Sequence, residues 1–131
     1  MAASKTYAEQ QNIKYAQKIN ELLKIFPEFC REYFNSLEYS KQPRTRLAYA
    51  RDLKTFFEFL IAEFPQYSNY QISDFTLHDI ESVTGQDISD YLRYMKVYDK
   101  DGTTVTNDER AAKRKLCSLR RFYGYYYRYE L

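Results

Sequence analysis

The chain has 131 residues, 44% of them hydrophobic and 18% aromatic, with a formal net charge of +2. That is one domain's length with enough apolar side chain for a core, which excludes a disordered tail. Three Gly and three Pro are too few for a loop-rich β-sandwich or a dinucleotide fold with several phosphate turns. No apolar run approaches the ~20 residues of a membrane span.

Met1-Ala2-Ala3-Ser4-Lys5 lacks the apolar stretch of a secretion signal. A first helix is predicted from Ala8 to Ile25, with Tyr15, Ile19, Leu22 and Leu23 on one face. Pro27 suits the first turn of a second helix running to Leu37, with Phe26, Phe29, Tyr33, Phe34 and Leu37 inward. Glu38 to Gln42 reads as a linker. The third helix starts near Pro43 and runs to Phe64, where Pro65 stops it. Gln66 to Ser73 reads as a polar connection. Thr76 and Thr84 are capping residues for two further helices, the second turning Ile88, Tyr91, Leu92 and Met95 inward. Asp99-Lys100-Asp101-Gly102 marks a turn between Val97-Tyr98 and Thr103 to Val105. A last helix runs from about Asn107 to Tyr129. These elements describe an all-α bundle of four main helices with an extra N-terminal helix.

Charge is unevenly spread. Residues 40–64 hold five basic and three acidic side chains, net +2; residues 65–105 hold three and seven, net −4; residues 106–131 hold seven and three, net +4. Two positive segments separated by a negative one suggest a single cationic surface built from two elements. At about 100° per residue, Arg110, Arg114, Arg121 and Arg128 of the last helix fall within about 40° of one another, with Lys113 close by. Ala112, Leu116, Leu119, Tyr123 and Tyr126 fall opposite, and no acidic side chain shares the arginine stripe. On the third helix, with Leu47 at 0°, Tyr49, Leu53, Phe56, Phe57, Leu60 and Phe64 fall at about 180–280°, while Arg44, Arg51 and Lys54 lie on the far side within about 60° of Leu47, joined by Glu58 toward the C-terminal end. Lys41, Arg44 and Thr45 gather at its N-terminus, where free N–H groups and the helix dipole favour a phosphate. Tyr125 borders the arginine face, placed to stack or to touch phosphate. An inline stripe of guanidiniums suits duplex DNA, and affinity for it should fall steeply with salt.

Several other signals point to nothing more than structure. Asp99-Lys100-Asp101-Gly102-Thr103 resembles the nucleophile loop of haloacid-dehalogenase-type phosphohydrolases, but that loop must follow a buried parallel strand. His78 stands alone, without further metal ligands. Cys30 and Cys117 form neither a zinc motif nor a disulfide framework, which suits a reducing cytoplasm. The Tyr123 to Tyr129 cluster has arginines nearby but no acid/base group to activate a tyrosine nucleophile.

Arg44-Thr45, Tyr49, Asp52-Leu53, Phe56 and Phe59-Leu60 resemble the first half of the core-binding domain of tyrosine recombinases. Ile80 and Asp87-Ile88-Ser89-Asp90-Tyr91-Leu92 match its middle helices, and Arg114-Lys115-Leu116-Cys117-Ser118-Leu119-Arg120-Arg121-Phe122-Tyr123 with Tyr126 its last one. The likeness covers residues 27–131, and the helical extension at 1–26 is similar to that of some Xer-type recombinases. It implies an orthogonal, SAM-like helical bundle that clamps one face of a DNA half-site. Lys41, Arg44, Thr45, Arg51, Lys54, Arg110, Lys113, Arg114, Arg121, Tyr125 and Arg128 are the expected DNA-binding residues. The family's catalytic set of arginines, lysine, histidines and tyrosine has no match here, so no catalytic residue is expected. The resemblance implies a piece of a longer recombinase whose catalytic domain is absent from this chain. The expected partners are double-stranded DNA and other recombinase protomers, with no membrane, small-molecule substrate, metal or cofactor. Two rivals stand beside it: a protein-interaction domain using Leu22, Leu23, Ile25 and Phe26 with an acidic partner, and RNA binding by tyrosine stacking.

Overall fold

A computed structural model describes residues 6–100 and 102–127. The helices are α1 (Tyr7–Leu23), α2 (Cys30–Leu37), α3 (Pro43–Glu63), α4 (Leu77–Glu81), α5 (Gly85–Tyr94) and α6 (Glu109–Tyr127). An antiparallel hairpin of β1 (Val97–Lys100) and β2 (Thr103–Thr106) joins α5 to α6. The fold is the expected all-α bundle, with this hairpin as an appendage.

Local chemistry sets most helix ends. Thr6 Oγ1 accepts from the Glu9 amide at 3.1 Å. Thr76 with Asp79 and Thr84 with Asp87 form reciprocal capping boxes, each supplying acceptors to amides that the helix leaves open. Asp108 caps α6, accepting from the Ala111 amide at 2.8 Å. Phe64 is extended, at φ −111° and ψ 116°, because the Pro65 ring excludes the helical region for the residue before it. Gly102 has φ +78°, a conformation that favours glycine and closes the hairpin. Asp99, Lys100 and Thr103 therefore belong to an antiparallel hairpin rather than to a phosphohydrolase loop.

Two expected elements differ. Pro27 does not open α2. The amides of Cys30 and Arg31 bond back to the carbonyls of Pro27 and Glu28, so a tight turn precedes the helix. The connection after Pro65 is not simply polar. It forms two 3-10 turns, Pro65–Tyr67 and Ile72–Asp74, that carry Tyr67 and Phe75 into the core at 6% and 2% exposure.

The core is built of rings. Helix α3 packs against α1, α2, α5 and α6, and its Phe56, Phe57 and Leu60 are wholly buried. Phe57 meets Phe75 at 4.9 Å between centroids, Phe56 meets Tyr91 edge-on at 5.1 Å, and Tyr33 meets Phe122 edge-on at 5.2 Å. Such tilted and edge-on pairs add to the burial of large apolar area. Helix α1 lies along α3, burying Ile19. It also covers Leu47, which is 3% exposed. Leu47 thus belongs to the interior, because α1 supplies a second apolar face on the side of α3 that its own periodicity marks as polar.

Candidate nucleic-acid interface

Helix α6 decides the geometry of the basic face. Its inner side buries Ala112, Leu119 and Phe122. Its tyrosines reach further, donating their hydroxyls to main-chain carbonyls: Tyr123 to Ile80 at 2.7 Å, and Tyr126 to Phe29. These bonds tie α6 to α4 and to the turn before α2. Burial pushes both hydroxyls well above the ordinary tyrosine pKa, so they stay protonated donors and are poor nucleophiles.

The outer side carries the arginines, and the structure divides them. Asp52 of α3, 4% exposed, accepts from both Arg114 terminal nitrogens at 2.7 and 3.0 Å and from Lys115 Nζ at 2.9 Å. A two-pronged guanidinium bond is the strong form of this interaction. The expectation of a stripe free of acidic partners is therefore corrected at Arg114. The arginine stripe on α6's own wheel holds no carboxylate, but α3 brings one across the helix pair. Arg114 is a strut between α3 and α6. The charge of Asp52 is also felt at Tyr91, whose hydroxyl pKa is raised by burial and then by that charge.

Arg110, Lys113 and Arg121 remain exposed, and among the described residues no carboxylate pairs with them. Arg121 donates to Ser40 Oγ at a long 3.4 Å, which brings it to the segment leading into α3. There Lys41 and Thr45 are half-buried and Arg44 is exposed. Gln42 gives α3 no side-chain cap, so the first amides of this helix keep their capacity to bind an anion. Arg121 and the Lys41–Arg44–Thr45 cluster thus share one region. Tyr125 is half-buried and packs edge-on against Tyr33 at 5.6 Å. Arg128 lies outside the described residues.

Arg51 and Lys54 go elsewhere. They line an open groove of about 610 Å³ between α3 and α1, together with Lys14 and Lys18. The two basic rods do not form one saddle: α1 occupies the side of α3 on which Arg51 and Lys54 stand. Reading one sequence segment at a time missed Asp52, Lys115, Lys14, Lys18 and Ser40. The one available signal was Asp52, a carboxylate next to the apolar stripe of α3.

Leu22, Leu23 and Ile25 pack against the core and Phe26 is 7% exposed, so the apolar surface that the protein-interaction reading needs is largely enclosed. No helix among the described residues is long and apolar enough to cross a membrane.

No family model matches the chain, and no solved structure does. A sequence relative is the tyrosine recombinase XerC of Caldanaerobacter subterraneus subsp. tengcongensis, 34% identical over 110 residues. The match takes in 79% of this chain, and the chain spans about 29% of that relative's length. This likeness, across most of a helical bundle with a basic outer face, supports a tyrosine-recombinase relationship.

Proposed function

We propose that the chain is a DNA-binding module of a site-specific tyrosine recombinase, corresponding to its core-binding domain, and that it grips one face of a duplex half-site. Arg110, Lys113 and Arg121 on the outer face of α6 meet the strand, and the uncapped start of α3 with Lys41, Arg44 and Thr45 receives a neighbouring phosphate. Arg114 holds α6 in place. Strand cleavage and rejoining belong to another part of the recombinase, and further protomers share the DNA. The working compartment is the cytoplasm, where the duplex is.

The observation that carries this reading is the set of exposed, carboxylate-free cations on α6 beside the start of α3. Charges of this kind bind phosphates by releasing counterions, so duplex affinity falls linearly on a log–log salt plot. A fluorescence titration with a random-sequence duplex at increasing salt tests it. We expect binding at low salt that weakens steeply and is lowered further by Arg121→Ala. Affinity indifferent to both salt and that substitution defeats the proposal.

A further inference from the structure

Gly124 sits near the end of α6, one helical turn beyond Arg120 and Arg121 and on their outer side. Glycine weakens a helix relative to alanine, and neither usual reason for it applies here. Its φ is not in the left-handed region, and a Cβ placed there would meet nothing within 4 Å. Among the described residues, the missing side chain therefore serves no contact.

Beside it a cleft of about 480 Å³ opens between α2 and α6, lined by Tyr33, Ser36, Arg121, Gly124 and Tyr125. Tyr33 is 2% exposed, yet among the described residues its hydroxyl has no hydrogen-bond partner, an uncommon state for a buried polar group. The Arg121 charge acts on this hydroxyl, opposing the burial that raises its pKa. Three features thus converge: a guanidinium held by one long bond to Ser40, a buried hydroxyl with nothing to bond, and a stretch of helix without a side chain. The glycine and the orphaned hydroxyl each weaken the isolated protein. Together with Arg121 they supply what a tetrahedral anion on a chain needs: two kinds of donor and room for close approach.

We infer that this α2–α6 cleft seats one phosphodiester group of the bound duplex, with Arg121 and the Tyr33 hydroxyl as donors and Gly124 admitting the strand. The inference rests on the DNA reading above and adds a site to it. A phosphate carries no sequence information, so the cleft contributes affinity and register rather than base choice.

The test uses the full chain and random-sequence duplexes at low salt, comparing wild type with Gly124→Ala, Tyr33→Phe and Arg121→Ala. Gly124→Ala and Tyr33→Phe should melt at or above the wild-type temperature, since each removes a weakness of the free protein. Both should bind duplex about tenfold more weakly, to a similar degree on every sequence, and Arg121→Ala should lower the salt slope by about 1. Wild-type affinity in both Gly124→Ala and Tyr33→Phe overturns the seat and leaves the DNA reading standing. A loss confined to particular sequences also overturns it, in favour of a base contact. No duplex binding by the wild-type chain overturns both readings. Saturable binding of inorganic phosphate alone, followed by calorimetry, assigns the cleft to a free anion and overturns the phosphodiester seat.

Discussion

Arg114 and Arg121 stand on one face of one helix, two turns apart, and do opposite things. Arg114 reaches back to a buried carboxylate on α3 and fastens the bundle. Arg121 makes a long hydrogen bond of 3.4 Å to Ser40, beside an open cleft. The residue type and the position on the helix wheel are nearly the same, so neither decides the role. What decides it is whether a neighbouring helix offers a carboxylate in a place water does not reach. One guanidinium then becomes structure and the other stays available to a ligand.

The sharpest way to break that contrast is to remove the carboxylate. Asp52→Ala leaves Lys115, whose side chain is 12% exposed, with an uncompensated buried charge. Arg114, half in water, suffers less. A loss of about 3 kcal/mol in denaturant unfolding is expected, near the lower end for breaking a buried pair. A loss below about 0.5 kcal/mol, the size of an ordinary surface change, would show that the strut carries no weight.

Arg114→Ala should come next, at about 1–2 kcal/mol, because Lys115 still satisfies one oxygen of Asp52. Arg121→Ala should change stability by less than about 0.5 kcal/mol while weakening duplex binding. A double-mutant cycle separates the two roles. Asp52 with Arg114 should show a coupling above about 0.5 kcal/mol, and Asp52 with Arg121 should be additive. Coupling in both pairs would mean that the arginines act as one unit.

The inner face of α6 gives a smaller, pH-dependent test. Burial raises the hydroxyl pKa of Tyr91, Tyr123 and Tyr126 above the ordinary value of 10.0. An acid whose pKa rises on folding holds its proton more tightly in the folded state, so its deprotonation favours unfolding. Below pH 10 both states are protonated and stability is intact; above it the unfolded chain ionises first and stability falls. Phenolate absorbance from these three rings should therefore appear together with the loss of helix in an alkaline titration. Ionisation of all tyrosines before any helix is lost would show that the inner face is open to water.

The caps were legible in the sequence because they are short-range. Thr76, Thr84 and Pro65 act on amides or backbone angles within a few residues, and the structure uses each of them as the local chemistry predicts. The inward face of α6, including Ala112, Leu119 and the latching tyrosines, was equally plain, since a single apolar stripe on a helix already states which side packs. The candidate interface was legible only in part. The exposed cations of α6 could be read, but Leu47 looked polar-facing until α1 covered it, and Tyr67 looked like connection until the 3-10 turns carried it inward.

By itself, then, the sequence determined the helical class, the helix ends set by Thr76, Thr84 and Pro65, and the hairpin, along with a basic outer side for α6, because each rests on interactions along one stretch of chain. Only the tertiary structure decided which cations were free. Pairing depends on carboxylates that arrive from elsewhere: Asp52 is 62 residues from Arg114 along the chain and within bonding distance in space. The same folding set α1 against Arg51 and Lys54, and opened the cleft where Tyr33, Arg121 and Gly124 meet.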